Sequence, residues 1–154
     1  MIVEGTYTFK APRDAVWDLL QNPDVLGTAM PGAQRLVRTG EDHFEGVMKV
    51  SVGFMSAGEV QMIVDLEDKV APERLAMRID GTGALGFVRG TAQVTLAEAP
   101  DNQTTMTYRS DMQIGGRIAA VGQRILDSAV RTMTEKGLEA LQRELDTRLA
   151  GGGR

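Results

Sequence analysis

Cysteine is absent from this chain of 154 residues, and histidine occurs only once, at His43. Without cysteine, the chain can form neither a disulfide nor a thiolate metal site. A histidine-based triad or an ordinary zinc site would have to use His43, which follows the turn residues Glu41 and Asp42. We expect His43 to be a solvated loop residue. The sequence therefore predicts no catalytic residues, no metal site and no enzymatic activity.

Excess positive charge and long apolar runs are also missing. The net charge is −4, which disfavours nonspecific nucleic-acid binding because that binding needs a basic surface. No apolar stretch approaches the roughly 20 residues that cross a bilayer, and the first residues, MIVEGTYTFK, lack the pattern of a signal peptide. These features predict a cytoplasmic protein whose membrane contact, if it has any, is peripheral and on the inner face of the cell membrane.

One basic pattern has two interpretations. Arg117, Arg124 and Arg131 recur every seven residues in the predicted last helix. The simpler interpretation is a set of solvated helix charges. The alternative is a basic edge that contacts an anionic membrane or an acidic partner.

Alternation of apolar and polar residues dominates the rest of the chain and predicts strands. The predicted strands cover residues 2–10, 34–40, 43–53, 58–69, 73–82, 85–98 and 103–114. Short helices are expected from Pro12 and from Asn22-Pro23 to about Met30, and a long helix from about Arg117 to Leu149. Short turns between strands indicate an antiparallel sheet. The fold class is α+β, with one domain at 1–149 and a flexible tail at 150–154.

Methionine is frequent, at nine residues, while aromatic residues make up only 5%. Five methionines share one predicted sheet face, and methionine adapts to apolar partners of different shapes. This favours a deformable apolar pocket between sheet and helix; the alternative is a filled core without a ligand. The predicted lining residues are Leu26, Met30, Met48, Met62, Met77, Phe87, Met106, Met112, Ile118, Val121 and Ile125.

Four segments carry a resemblance to a known family. They are the helix Ala-Pro-Arg-Asp-Ala-Val-Trp-Asp-Leu-Leu at 11–20, the turn Met30-Pro31-Gly32, the strand Phe-Glu-Gly-Val-Met-Lys-Val at 44–50, and Gly-Gly-Arg-Ile-Ala-Ala-Val-Gly at 115–122, continuing into Arg124-Ile125-Leu126. With these segments the chain, from about Ile2 to Leu149, resembles the CoxG family of carbon monoxide dehydrogenase subunits, which lies within the START-like (SRPBCC) superfamily.

The resemblance implies a helix-grip fold, in which a curved antiparallel seven-stranded sheet surrounds a long C-terminal helix and encloses a hydrophobic cavity. It also implies association with a molybdenum-containing hydroxylase of the carbon monoxide dehydrogenase type, and recruitment of that enzyme to the membrane, where electrons enter the quinone pool. The family is not known for catalytic residues. Many members carry a C-terminal extension that can engage the membrane, whereas this sequence stops at Gly151-Gly152-Gly153-Arg154, and Ala33 replaces the cysteine of many relatives.

The predicted function is therefore that of a non-enzymatic accessory protein. Its cavity would bind an apolar small molecule, a quinone or another lipid-like ligand, with no other cofactor, and its partner would be the hydroxylase. Two alternatives stay open. One is a docking module with a filled core, and the other is an enzyme acting on an apolar aromatic substrate, which would need Tyr108 or Ser110 at the pocket wall.

Overall fold

Alternating apolar residues produce seven strands in the computed structural model, which describes residues 1–29, 33–52 and 55–152. The strands are β1 (Ile2–Phe9), β2 (Ala33–Gly40), β3 (His43–Val52), β4 (Met55–Val70), β5 (Arg74–Gly83), β6 (Gly86–Ala99) and β7 (Gln103–Gly115). The helices are α1 (Arg13–Leu19), α2 (Pro23–Ala29) and α3 (Gln123–Gly152). Two 3₁₀ turns cover Pro100–Asn102 and Gly116–Val121.

The seven strands form one antiparallel sheet in the order β1-β7-β6-β5-β4-β3-β2. Strands β2 to β7 follow one another as a meander, because short turns leave each strand beside the preceding one. Strand β1 closes the order by pairing with β7. This arrangement, with a long C-terminal helix, confirms the predicted α+β helix-grip fold.

The register divides the sheet into two faces of different character. Val64 lies opposite Ile79, and Leu66 lies opposite Met77. Residues of this parity face α3, whose Met133 and Leu138 pack against them, and we call this side the helix face. The intervening residues, such as Asp65 and Arg78, form the outer face. The one-sided burial agrees with the alternation predicted for β4 and β5.

The main core lies where α1 and the last part of α3 meet the sheet. Phe9 and Phe44 are fully buried there, and Leu145 of α3 is 1% exposed. The buried Thr104 hydroxyl donates a hydrogen bond of 2.7 Å to the carbonyl oxygen of Ala11. This bond satisfies the polar group and ties β7 to the segment that leads into α1.

The long helix begins later and ends later than predicted. It starts at Gln123 instead of Arg117 and continues to Gly152 instead of ending at Leu149, so the predicted tail from 150 is helical at its start. Gly116 and Gly122 have φ values of +82° and +100°, which an α-helix does not accommodate. Between them, the backbone N–H of Ile118 donates to the carbonyl oxygen of Leu85, which holds the 3₁₀ turn against the sheet.

Two glycines on the helix face leave room for methionine side chains. A Cβ on Gly81 would lie 2.6 Å from the Sδ of Met62. A Cβ on Gly90 would overlap the backbone carbonyl oxygen of Asp111 and lie 2.8 Å from the Cα of Met112. The first clash involves the end of a flexible side chain, whereas the second involves the backbone of the neighbouring strand.

Replacing these glycines is expected to have different costs. Gly90→Ala should lower the free energy of unfolding by roughly 1–3 kcal/mol, because the backbone of β6 or β7 must shift. Gly81→Ala should lower it by less than about 1 kcal/mol, because Met62 can change rotamer. Urea unfolding followed by the fluorescence of Trp17, the only tryptophan, measures both. Equal losses for the two variants would contradict this account.

Candidate functional site

Apolar side chains between the sheet and the first half of α3 stay partly exposed. We call this set the half-buried patch, and the sequence places its members on the helix face or on the helix itself. They are Met77, Ile79, Val88 and Ile114 of the sheet and Ile125, Ala129, Val130 and Met133 of α3. Since these residues lie between two packed elements and still retain exposed surface, the side chains of the patch do not close the apolar space between them.

A methionine cluster borders the half-buried patch on β3 and β4. Met48, Val60 and Met62 are buried, with Ile79 and Met133 packed against them. Methionine is unbranched and polarizable, so this wall can adapt to an occupant without rebuilding the backbone. The cluster joins a sheet wall and a helix side chain around one end of the patch.

A second small cluster borders the patch near the start of α3. Ile118 and Leu126 are 3% and 6% exposed, with Val121 and Ile125 packed against them. These side chains anchor the beginning of the helix to the end of β7 through Ile114. The patch therefore lies between this anchor and the main core.

The predicted lining residues fall into several groups. Met48 and Met62 meet in the methionine cluster, and Ile118, Val121 and Ile125 meet in the second cluster. Met77 lies on the helix face at the edge of the main core, and Met106 lies within that core. Leu26 of α2 and Met112 of β7 are both buried. Met30 lies outside the described residues.

Phe87 lies on the outer face, so its prediction as a lining residue is wrong. It pairs with Thr82 and Gly115, and the guanidinium of Arg89 lies 4.7 Å from the centroid of its ring. The register excludes Phe87 from the helix face because its neighbour Val88 occupies that side. The two adjacent apolar residues gave no alternation from which the correct face could be chosen.

The predicted row of arginines is not a continuous feature of one helix. Arg117 lies in the 3₁₀ turn that precedes α3, whereas Arg124 and Arg131 lie in α3. Asp127 and Glu135 line the same shallow surface depression as the two helical arginines. This surface therefore carries both signs of charge, which weakens its attraction for an anionic membrane.

His43 is not a loop residue, because it is the first residue of β3. Its Nδ1 lies 2.5 Å from Oδ1 of Asp65, and its Nε2 lies 3.7 Å from Oε2 of Glu45. The hydrogen bond to Asp65 raises the pKa of His43, although desolvation opposes the shift. The pairing of His43 with Asp65 across β3 and β4 becomes predictable only once the strand register is known.

The outer face carries a feature that the sequence did not predict. A depression of about 500 Å³ crosses β2 to β5. Its lining includes Val37 and Ile63, each 37% exposed, together with Glu45 and Asp80. The sequence signal was present, since Val37, Val47 and Ile63 interrupt the polar parity of their strands.

Membrane-spanning helices and clustered metal ligands are both missing from the described residues. Over 1–29, 33–52 and 55–152, no helix is both long and apolar enough to cross a membrane. In the same part of the chain, no group of three or more His, Cys, Asp or Glu residues could hold a metal ion.

Comparison with protein families gives one match, which covers most of the chain. The model of the carbon monoxide dehydrogenase protein CoxG matches residues 5–146. No curated protein matches the chain significantly. The family match agrees with the resemblance predicted from the four sequence segments.

Solved structures share the fold along nearly the whole chain. A conserved protein from Geobacillus kaustophilus has 24% identity and a TM-score of 0.90, covering 96% of this chain and 97% of that one. A START superfamily protein from Mycobacterium smegmatis has 7% identity and a TM-score of 0.73, with coverages of 95% and 97%. The ZhuI aromatase/cyclase from Streptomyces sp. R1128 has 20% identity and a TM-score of 0.70, with coverages of 97% and 95%. At these identities, the likeness establishes the START-like fold.

The contact between His43 and Asp65 makes the stability depend on pH. The pKa of His43 is raised in the folded chain, so its contribution to stability is fully present below the unfolded pKa of about 6.5. The free energy of unfolding should therefore fall as the pH rises from about 6.5 through the folded pKa. Urea unfolding at a series of pH values measures this fall, which His43→Gln should remove.

Titration of the single imidazole by NMR provides the matched control. Asp65→Asn should lower the pKa of His43 towards its ordinary value. Asp42→Asn should leave it nearly unchanged, because Asp42 pairs with Lys69. A His43 pKa that is the same in wild type and Asp65→Asn would show that the contact does not cause the shift.

Proposed function

This chain belongs to the CoxG family of carbon monoxide dehydrogenase subunits, and on that premise we propose that it is a non-enzymatic accessory protein that binds an apolar small molecule. The ligand class is a quinone or another lipid-like compound, and its site is the half-buried patch. The observation that carries the proposal is the partly exposed apolar surface between α3 and the sheet. Exposed apolar surface in a concavity favours a ligand that removes it from water.

The two borders of the patch support a ligand of this kind. Met48, Met62 and Met133 supply adaptable side chains at one border, which suits a flexible isoprenoid or an aromatic ring. Ile118 and Leu126 fix the start of α3 at the other border. A site with one adaptable wall and one fixed wall can accept ligands of different length without losing the helix position.

A binding role is favoured over turnover by where the titratable groups lie. His43, the only histidine, contacts Asp65 and Glu45 on the outer face. A general base must lie within hydrogen-bonding reach of the reacting atom, and the sheet separates His43 from the half-buried patch. The aromatase/cyclase among the structural neighbours shares the fold at 20% identity, so its activity does not extend to this chain.

The proposed partner is a molybdenum-containing hydroxylase of the carbon monoxide dehydrogenase type. The family description supports this partner, since it names a component of carbon monoxide dehydrogenase. An apolar ligand shared with a bilayer would give the complex a reason to sit at a membrane. We therefore propose that the chain helps to bring the hydroxylase to the membrane, where a quinone accepts its electrons.

Filling the patch should abolish ligand uptake. Met77→Trp places a bulky ring on the helix face and is expected to reduce the bound apolar ligand at least tenfold. Gln93→Trp places the same ring on the exposed outer face of β6 and should leave uptake unchanged. Native mass spectrometry after mild purification, followed by lipid extraction, measures the bound fraction. Circular dichroism checks that both variants are folded.

The ligand proposal fails if the wild-type chain neither carries nor takes up an apolar compound. Loss of uptake in both tryptophan variants, with folding intact, would also contradict it, because a position on the outer face should not affect the patch.

The recruitment proposal has a separate test. Purified hydroxylase is mixed with quinone-containing phospholipid vesicles, with and without this chain. We expect the chain to increase the fraction of hydroxylase that floats with the vesicles, and Met77→Trp to reduce that increase. An unchanged fraction on adding the wild-type chain would exclude recruitment while leaving ligand binding intact.

A further inference from the structure

Both tyrosines of the chain lie on the helix face, on neighbouring strands. Tyr7 of β1 pairs with Met106, and Tyr108 of β7 pairs with Gly5. Two other hydroxyl groups on this face of β7 are satisfied by the chain itself. Thr104 donates to the carbonyl oxygen of Ala11, and Ser110 donates to that of Val3. The two phenols are the exceptions.

The position of the Tyr108 ring is set by a glycine on the next strand. A Cβ on Gly5 would lie 2.7 Å from Oη of Tyr108 and 3.1 Å from its Cζ. The ring therefore lies across β1 at the one residue that leaves space for it. Its other cross-strand neighbour, Val94, is buried in the main core.

The Tyr108 hydroxyl lacks a hydrogen-bond partner within the described part of the chain. The side chain packs against the main core and stays partly exposed, so it lies at the boundary between that core and the half-buried patch. Moving from Tyr108 along β7, the helix face continues through Ser110 and Met112 to Ile114. A polar group without a partner beside apolar surface is unfavourable until an acceptor reaches it.

We propose that Tyr108 determines ligand specificity by donating a hydrogen bond to a carbonyl oxygen of the bound compound. The ligand class is an apolar ring that carries a conjugated carbonyl, with its hydrocarbon part against the half-buried patch. This inference rests on the proposed function and adds the polar contact that distinguishes a quinone from a plain hydrocarbon. A phenol suits this role because its O–H donates while its ring packs as an apolar surface.

The experiment compares two compounds of the same shape. The probes are 2-methyl-1,4-naphthoquinone and 2-methylnaphthalene, and equilibrium dialysis gives the dissociation constant of each. Tyr108→Phe should weaken quinone binding by roughly three- to tenfold, which corresponds to one neutral hydrogen bond. Binding of the hydrocarbon should stay the same, because phenylalanine keeps the ring. The thermal stability of the unliganded variant should not fall, since no internal hydrogen bond is lost.

Tyr7→Phe is the matched control. The Tyr7 ring packs against Phe9, with 4.7 Å between the ring centroids, so we expect its hydroxyl to affect quinone affinity less than that of Tyr108. Equal quinone affinity in wild type and Tyr108→Phe would overturn the inference and leave ligand binding standing. A loss confined to Tyr7→Phe would also overturn it. If the wild-type chain binds neither compound, the proposed function fails and the inference fails with it.

Discussion

The attachment of α3 at two separated points determines the rest of this structure. Leu138, Leu141 and Leu145 bury the last part of the helix in the main core, at 9%, 7% and 1% exposure. Leu126 and Ile118 hold its beginning against the end of β7. A fully buried leucine contributes about 1.5–3 kcal/mol, so both attachments are strong enough to fix the helix without contacts between them.

The interval between these attachments is where the half-buried patch lies. From Leu126 to Leu138 the helix rises roughly 18 Å, at 1.5 Å per residue. The sheet passes beneath this interval with Met77, Ile79 and Val88, all partly exposed. Since the helix is held from both ends, it does not need to collapse onto the sheet to be stable. The same packing that stabilises the fold therefore leaves apolar surface available for a ligand.

Strong periodicity made much of this predictable from the sequence. In β4, Val60, Met62 and Val64 alternate with polar residues, so one strand defines its own face and its neighbours follow through cross-strand pairing. The four family segments predicted the helix-grip fold, and the structure confirms it. Faces could be predicted wherever side-chain polarity alternates, because burial on one side alone imposes that pattern.

Other features depend on contacts that no local pattern encodes. Phe87 and Val88 are both apolar, and only pairing with Thr82 and Gly81 decides which of them faces the helix. The start of α3 depends on the φ values of Gly116 and Gly122, although the residues between them have helical spacing in the sequence. The contact of His43 with Asp65 requires the β3–β4 register. In each case, a partner distant in sequence determines the outcome.

The two faces of the sheet also separate two kinds of chemistry. Asp65, Arg78 and Asp80 lie on the outer face, where water and neighbouring charges stabilise their ionised forms. On the helix face of β7, the polar groups are hydroxyls, and the backbone satisfies two of them. A site of this composition can exclude water and orient one acceptor atom, but it does not place a carboxylate or an imidazole beside the ligand. This arrangement favours selective binding over proton transfer and fits an accessory protein that carries its ligand unchanged.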